Sequence, residues 1–170
     1  MAETELPKIL CDEMLQRLGR WLRAAGYDTV IAGEAEADYE LLQRARREGR
    51  YLITRDQGML SYRNAADHVI LLTADSLDTC AESLTEKLHI NWLAKPFTRC
   101  MVCNTELIDA TPQQIAGLSL VKEGHIDAAF YCPNCRQVFW DGSHVKRMRT
   151  HLYDWASRFS GIEISVVPNG

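Results

Sequence analysis

The sequence predicts an α/β fold: a parallel sheet flanked by helices, followed by a smaller unit organised by cysteines. Two observations predict the first part. Short apolar runs alternate with stretches of helical spacing, and short loops join them. A third predicts the second part: of six cysteines, four stand in two C-x2-C pairs, Cys100/Cys103 and Cys132/Cys135. A chain of 170 residues with 46% hydrophobic content can bury one ordinary core and a small appended one.

The elements follow in order. "KILC" (8–11) reads as a short buried strand, and "EMLQRLGRWLRAAG" (13–26) as a helix with Leu15, Leu18, Leu22 and Ala25 on one face and Gly26 as its stop. "YDTVIA" (27–32) is a second strand, "DYELLQRARREG" (38–49) a second helix closed by Gly49, and "YLIT" (51–54) a third strand. A short helix around "QGMLSYRNA" leads to a fourth strand, "HVILL" (68–72), and an amphipathic helix over "SLDTCAESLTEKLHI" (76–90). "NWLAKPF" (91–97), with its proline, reads as a linker, which divides the chain into 1–90 and 98–170. Beyond it, "HIDAAFYC" and "RQVFWDG" flank the second cysteine pair as hairpin strands. "SHVKRMRTHLYDWASRF" (143–159) is helical, with Ser143 placed to cap it. The tail "SGIEISVVPNG" fits an edge strand or a solvated end equally well.

Composition excludes several classes. No run approaches the roughly 18 apolar residues of a membrane span, and "MAETELPKIL" carries acids where an export signal carries basic residues. A cytoplasmic protein with no membrane partner is expected. The net charge of −4 argues against indiscriminate coating of nucleic acid. The charge is uneven, however: from Arg136 to Arg158 five basic residues face two acids, and eight arginines fall between Arg17 and Arg55. Either cluster reads as a phosphate-binding patch or as a solvated helix face. Nucleophile elbows, Walker loops and dinucleotide fingerprints are all missing.

The cysteine spacing, C-x2-C, a gap of 28 residues, then C-x2-C, supplies four thiolates for a tetrahedral structural zinc ribbon. The long gap implies an insertion. With sulfur at all four positions no coordination site is left for substrate, so this metal holds a fold together.

Three acids have a different placement. Asp12 follows the first strand, Asp56 follows the third, and Asp38 opens the helix after the second. In an open parallel sheet all three lie at the carboxyl edge of the strands, where ligands bind. Clustered carboxylates repel one another unless a hard cation sits among them, which selects Mg2+ or Mn2+ and phosphodiester chemistry. Taken singly, each acid reads also as a helix cap, and Thr54-Arg-Asp-Gln57 matches a capping box.

"CDEMLQRLGRWLRAAGYDT", "ADYELLQRARREGRYLITRD", the two C-x2-C pairs and "VFWDGSHVKRM" together resemble the Mut-seven C-terminal RNase family, a PIN-like nuclease domain followed by a zinc ribbon. The resemblance runs from about Ile9 to Met148. It implies a PIN-like fold, RNase activity, and Mg2+ or Mn2+ held by Asp12, Asp38 and Asp56 as the catalytic residues. The stretch between Asp12 and Asp38 has no room for the further acid-bearing helix of PIN domains, which leaves Glu36 or Glu40 as substitutes.

Arg17, Arg20 and Arg55 near the acids, and Lys146, Arg147 and Arg149 after the second knuckle, are candidate ligands for the phosphates of single-stranded RNA. Salt bridges to Glu13 or Glu36 are the alternative for the first group. Trp21 and Trp140 read more readily as core than as stacking platforms, and His144 and His151 as surface or RNA-facing. Three functions remain on this reading: a metal-dependent RNase with a ribbon that grips RNA, a non-catalytic RNA-binding adaptor, and a zinc-ribbon protein-interaction module.

Overall fold

The computed structural model describes residues 4–117 and 128–160. Four strands, β1 (Lys8–Cys11), β2 (Thr29–Ile31), β3 (Arg50–Thr54) and β4 (Val69–Leu71), pair in parallel in the order β2-β1-β3-β4. The central pair has no solvent face. Ile9, Leu10, Cys11, Leu52 and Ile53 are all fully buried, which is why these strands read as continuous apolar runs.

Alternate side chains serve the two faces. Leu10 and Leu52 join Leu41, Leu42 and Ala45 of helix α2 (Asp38–Glu48), while Ile9, Cys11 and Ile53 face α1 (Gln16–Ala24) and α3 (Leu77–Leu88). Helix α1 does not begin at residue 13 as its periodicity suggests. Glu13–Leu15 form a 3-10 turn, and the α-helix proper starts at Gln16. Gly19 lets α1 lie close on the sheet, since a Cβ there would meet Ile31 Cγ1 at 2.8 Å. Gly26, at φ +99°, ends the turn after α1 where a Cβ would meet the Lys95 carbonyl oxygen at 2.3 Å.

The segment 91–97 is packed against this turn. Trp92 is fully buried, and the amides of Lys95 and Phe97 donate to the carbonyls of Ala25 and Ala24 at 3.1 and 2.7 Å. A three-stranded antiparallel sheet follows, with β5 (Ile108–Asp109), β6 (Ala129–Cys132) and β7 (Gln137–Trp140) in that order. The expected hairpin around the second cysteine pair is the β6–β7 pair. The short helix α4 (Pro112–Ala116) occupies part of the insertion, held by a capping box of Thr111 and Gln114 that the sequence reading does not include. The first half of "HIDAAFYC" and the tail beyond residue 160 lie outside the described residues.

The last helix, α5 (Ser143–Ser160), starts at Ser143 itself, with the Gly142 carbonyl accepting from the Lys146 amide at 3.0 Å, so Ser143 is its first residue and not its cap. It returns to the first core. Leu152, Trp155 and Ala156 pack with Leu18, Leu22, Leu84 and Trp92. Trp21, Trp92, His151 and Trp155 form one aromatic cluster, with Trp21 and His151 ring centroids 4.7 Å apart. Trp21 is therefore core, as its pattern suggests. His151 is half-buried between Trp21 and Trp155, with Nε2 3.7 Å from Asp78 Oδ1.

Candidate active site and metal centre

The four paired cysteines converge. Their sulfurs all lie within 4.8 Å of one another, with Cys103 Sγ 3.5 Å from Cys132 Sγ and Cys100 Sγ 3.9 Å from Cys135 Sγ. Tetrahedral Zn–S bonds of about 2.3 Å place sulfurs roughly 3.8 Å apart, so this geometry can hold one ion such as zinc. Burial opposes ionisation of Cys103, but hydrogen bonds from Thr105, Asn134 and Cys135 outweigh it and bring its thiol down to about 5. Cys135 is pushed up to about 12, first by its hydrogen bond to Cys103. Cys11 and Cys80 stand apart as buried thiols, and burial raises both.

The first knuckle is tied to the parallel sheet. Arg23, buried on α1, donates through Nη1 to the carbonyls of Met101 and Val102 at 3.0 Å each, and through Nε to Thr29 O at 2.8 Å. Asn104 accepts from the Thr29 amide at 2.9 Å and donates to Asp28 Oδ1 at 2.7 Å. Arg23 and Asn104 carried no signal in the sequence beyond a charge within an otherwise apolar helix face and a polar residue after the knuckle.

At the carboxyl edge of the sheet, β1 and β3 are each followed by an acid, and the helix after β2 opens with a third. Asp12 follows β1 with its amide donating to Ile53 O at 3.0 Å, which fixes its backbone between β1 and β3. Asp56 follows β3, and Asp38 is the first residue of α2. A buried hydroxyl links two of them. Thr54 Oγ1 donates to Asp12 Oδ2 at 2.9 Å and accepts from the Asp56 amide at 3.0 Å. The T-x-D spacing was the available signal for Thr54.

The helix-cap alternatives divide. Asp56 does cap its 3-10 helix, Gln57–Ser61, with Oδ1 accepting from the Gly58 amide at 2.7 Å, whereas no capping box forms across Thr54–Gln57. Asp12 occupies a cap position without a capping bond, and at α2 the cap position belongs to Ala37. The Asp38 carboxylate has no hydrogen-bond or ionic partner among the described residues.

The three carboxylates share an edge but are not gathered as the cysteines are. Among the described residues only the cysteines form a group of three or more such side chains close enough to share an ion. Glu36 is committed to Arg44 at 2.9 Å, and Glu40 is exposed. Glu13 Oε2, on the residue after Asp12, is buried with no hydrogen-bond partner among the described residues. The unpaired oxygens of Asp38, Asp12 and Glu13 are hard donors, which suit Mg2+ or Mn2+.

The candidate cations have different surroundings. Arg17 and Arg20 are exposed and pair with no acid among the described residues. Arg55 donates to Ala74 O at 2.6 Å and to Asp75 at 2.9 Å. Lys146 and Arg147 are exposed on α5, while Arg149 lies over the Phe97 ring, 4.9 Å from its centroid, and 3.8 Å from Asp141. A cavity of about 430 Å3 opens at the opposite edge of the sheet, lined by Lys8, Asp28, Lys95 and Arg99, away from the acids. No helix among the described residues is long and apolar enough to cross a membrane.

The family model described as the Mut7-C RNAse domain matches residues 7–152. Among curated proteins, the exonuclease mut-7 homolog of Homo sapiens is 23% identical over 224 aligned residues, which cover 86% of this chain and 26% of that protein. The chain thus spans about a quarter of the length of that relative. No solved structure matches it.

Proposed function

Because the chain belongs to the Mut7-C RNAse domain family, we propose that it is a PIN-like, metal-dependent ribonuclease that hydrolyses phosphodiester bonds of single-stranded RNA. Family membership supports a nuclease-type function with nucleic acid as substrate. The observation that carries the finer reading is the Thr54 bridge, which orients Asp12 and Asp56 together at the carboxyl edge of the parallel sheet.

In this reading Asp12, Asp38 and Asp56 hold Mg2+ or Mn2+, which when bound activates water and steadies the leaving oxygen. The protein's own part is placement. Asp12 is held through its backbone by β3 and through Oδ2 by Thr54, and its other oxygen has no competing bond among the described residues. Asp38 carries its carboxylate free of any capping duty, and the first turn of α2 favours negative charge there. Arg17 and Arg20, exposed on α1 and without an acidic partner among the described residues, take the substrate phosphates, and Arg55 joins them by exchanging its Asp75 partner. The four cysteines hold structural zinc, and the helix after the second knuckle adds Lys146, Arg147 and Arg149 as a second phosphate grip.

The test is cleavage of a mixed RNA and single-stranded DNA pool with and without Mn2+, beside Asp12→Asn, Asp38→Asn and Asp56→Asn. Metal-dependent RNA cleavage lost in each variant, with circular dichroism unchanged, is the expected result. Cleavage that needs no metal, or survives Asp56→Asn, overturns the assignment. A second reading, an RNA-binding adaptor without cleavage, is favoured by the looser spacing of the acids. It predicts RNA binding with no metal-dependent product.

A further inference from the structure

Beside each of the three acids the chain places a large apolar side chain in solvent. Asp12 is followed by Met14 (64% exposed), Asp38 by Tyr39 (56%), and Asp56 by Leu60 (45%). Side chains left this open forgo part of the free energy that burial would give. The elements that carry them are not loose. Met14 sits on the 3-10 turn after β1, Tyr39 in the first turn of α2, and Leu60 on the 3-10 helix after β3. All three elements follow strands at the carboxyl edge of the sheet.

Tyr39 also has an aromatic neighbour. Tyr62, which ends the 3-10 helix begun by Asp56, is half-buried against the α2 side of the core, and its ring centroid is 6.0 Å from that of Tyr39 at 50°. Arg46 Nη2 on α2 donates to the carbonyl of Arg63 and so holds this stretch along the helix. Tyr62 is anchored, whereas Tyr39 is exposed. An aromatic ring held beside a phosphodiester site has an obvious use, because every nucleobase offers a π-face and a stack on Tyr needs no particular sequence.

We infer that Tyr39, supported by Tyr62, is a stacking platform for an unpaired nucleobase next to the scissile phosphate, with Met14 and Leu60 as the apolar rim of the same subsite. This rests on the nuclease reading above and adds the residue that would receive the base: a strand whose bases are free to turn out can stack there, which a paired duplex does not offer. Single-stranded nucleic acid is the occupant because Tyr39 directly follows Asp38 in the first turn of α2, at the edge that also carries Asp12 and Asp56, and a stack on Tyr needs a base free of its pair.

The test uses the full-length, zinc-replete protein and a single-stranded RNA 12-mer carrying one 2-aminopurine, in buffer without Mg2+ or Mn2+, so that binding is read without cleavage. Wild-type protein is expected to quench 2-aminopurine on binding. Tyr39→Ala is expected to lose the quench and bind about 5- to 150-fold more weakly, the range for one missing aromatic stack, while Tyr39→Phe keeps both. Tyr62→Ala is expected to lower the quench less than Tyr39→Ala does. Replacing the probed base with an abasic site should remove the difference between wild type and Tyr39→Ala. Equal quenching and affinity in wild type and Tyr39→Ala, or a Phe variant as weak as the Ala variant, overturns the inference. If Mn2+ elicits no cleavage while the quench persists, the nuclease reading falls and the stacking platform stands.

Discussion

The Thr54 hydroxyl donates to Asp12 Oδ2 at 2.9 Å and accepts from the Asp56 amide at 3.0 Å, so one buried side chain aligns two strand ends. Thr54→Val keeps the shape and removes both bonds. The expected cost in stability is about 1–3 kcal/mol, the range for leaving buried partners unpaired. A metal titration of cleavage should show a higher Mn2+ requirement in Thr54→Val and a near-normal one in Thr54→Ser. An unchanged Mn2+ requirement in the valine variant would reduce Thr54 to a packing residue.

The cysteine cluster predicts about one zinc per chain by elemental analysis. Cys132→Ser should lose it. Because Arg23 and Asn104 bind the first knuckle to β2 and α1, zinc loss is expected to lower the melting temperature of the sheet domain as well as that of the ribbon.

Arg23→Met tests that junction directly. Three carbonyls lose their donor at a site only 7% exposed. A loss of about 3 kcal/mol is expected, together with faster zinc release to a chelator, followed by calorimetry and a colorimetric zinc dye.

Neutralising Lys146, Arg147 and Arg149 together should weaken RNA binding for all sequences alike. The logarithmic salt slope should fall by about 0.7 for each phosphate that is no longer neutralised. Lys146 and Arg147 are open to solvent, whereas Arg149 is partly engaged by Phe97 and Asp141, so the first two are expected to carry most of the change.

Acid should loosen the amino end of the sheet. Asp28 meets burial, which raises its pKa, but the hydrogen bonds from Arg50 and Asn104 prevail and hold it below its ordinary 3.8. Glu48, bonded first by Arg50 and also by Arg44, is likewise held below 4.5. A depressed carboxylate contributes stability above its unfolded pKa and loses it as pH falls through the folded one. Denaturant midpoints should therefore drop below about pH 4.5, and that drop should shrink in Arg50→Met.

Much of the architecture was legible because burial and periodicity agree. Ile9 to Cys11 and Leu52 to Ile53 are buried on both faces and cannot alternate, and Leu18 and Leu22 repeat at helical spacing toward one core. Two C-x2-C pairs announced a metal centre because thiolates at that spacing have few other uses. Placement of the acids on one edge was legible from strand order alone. Their side-chain partners were not: whether Asp56 caps, whether Asp38 stays unpaired, and that Arg55 turns to Asp75 depend on rotamers and on segments distant in sequence. The role of α5 was obscured by its charge. Its basic residues suggested an outward helix, while Leu152, Trp155 and Ala156 decide its packing.

That packing makes synthesis and folding run out of step. Ile9 of the first strand and Trp155 of the last helix belong to one core. A ribosome adds residues at about 5–20 per second, so the side of α1 and α3 that α5 covers stays open for seconds while the whole cysteine unit is made. The nascent chain presents Trp92 and its neighbours on α1 and α3 without their cover until α5 emerges, which marks it as a client for chaperones that shield apolar surface. Stalling translation before Leu152 should leave that surface exposed, and releasing the complete chain should close it.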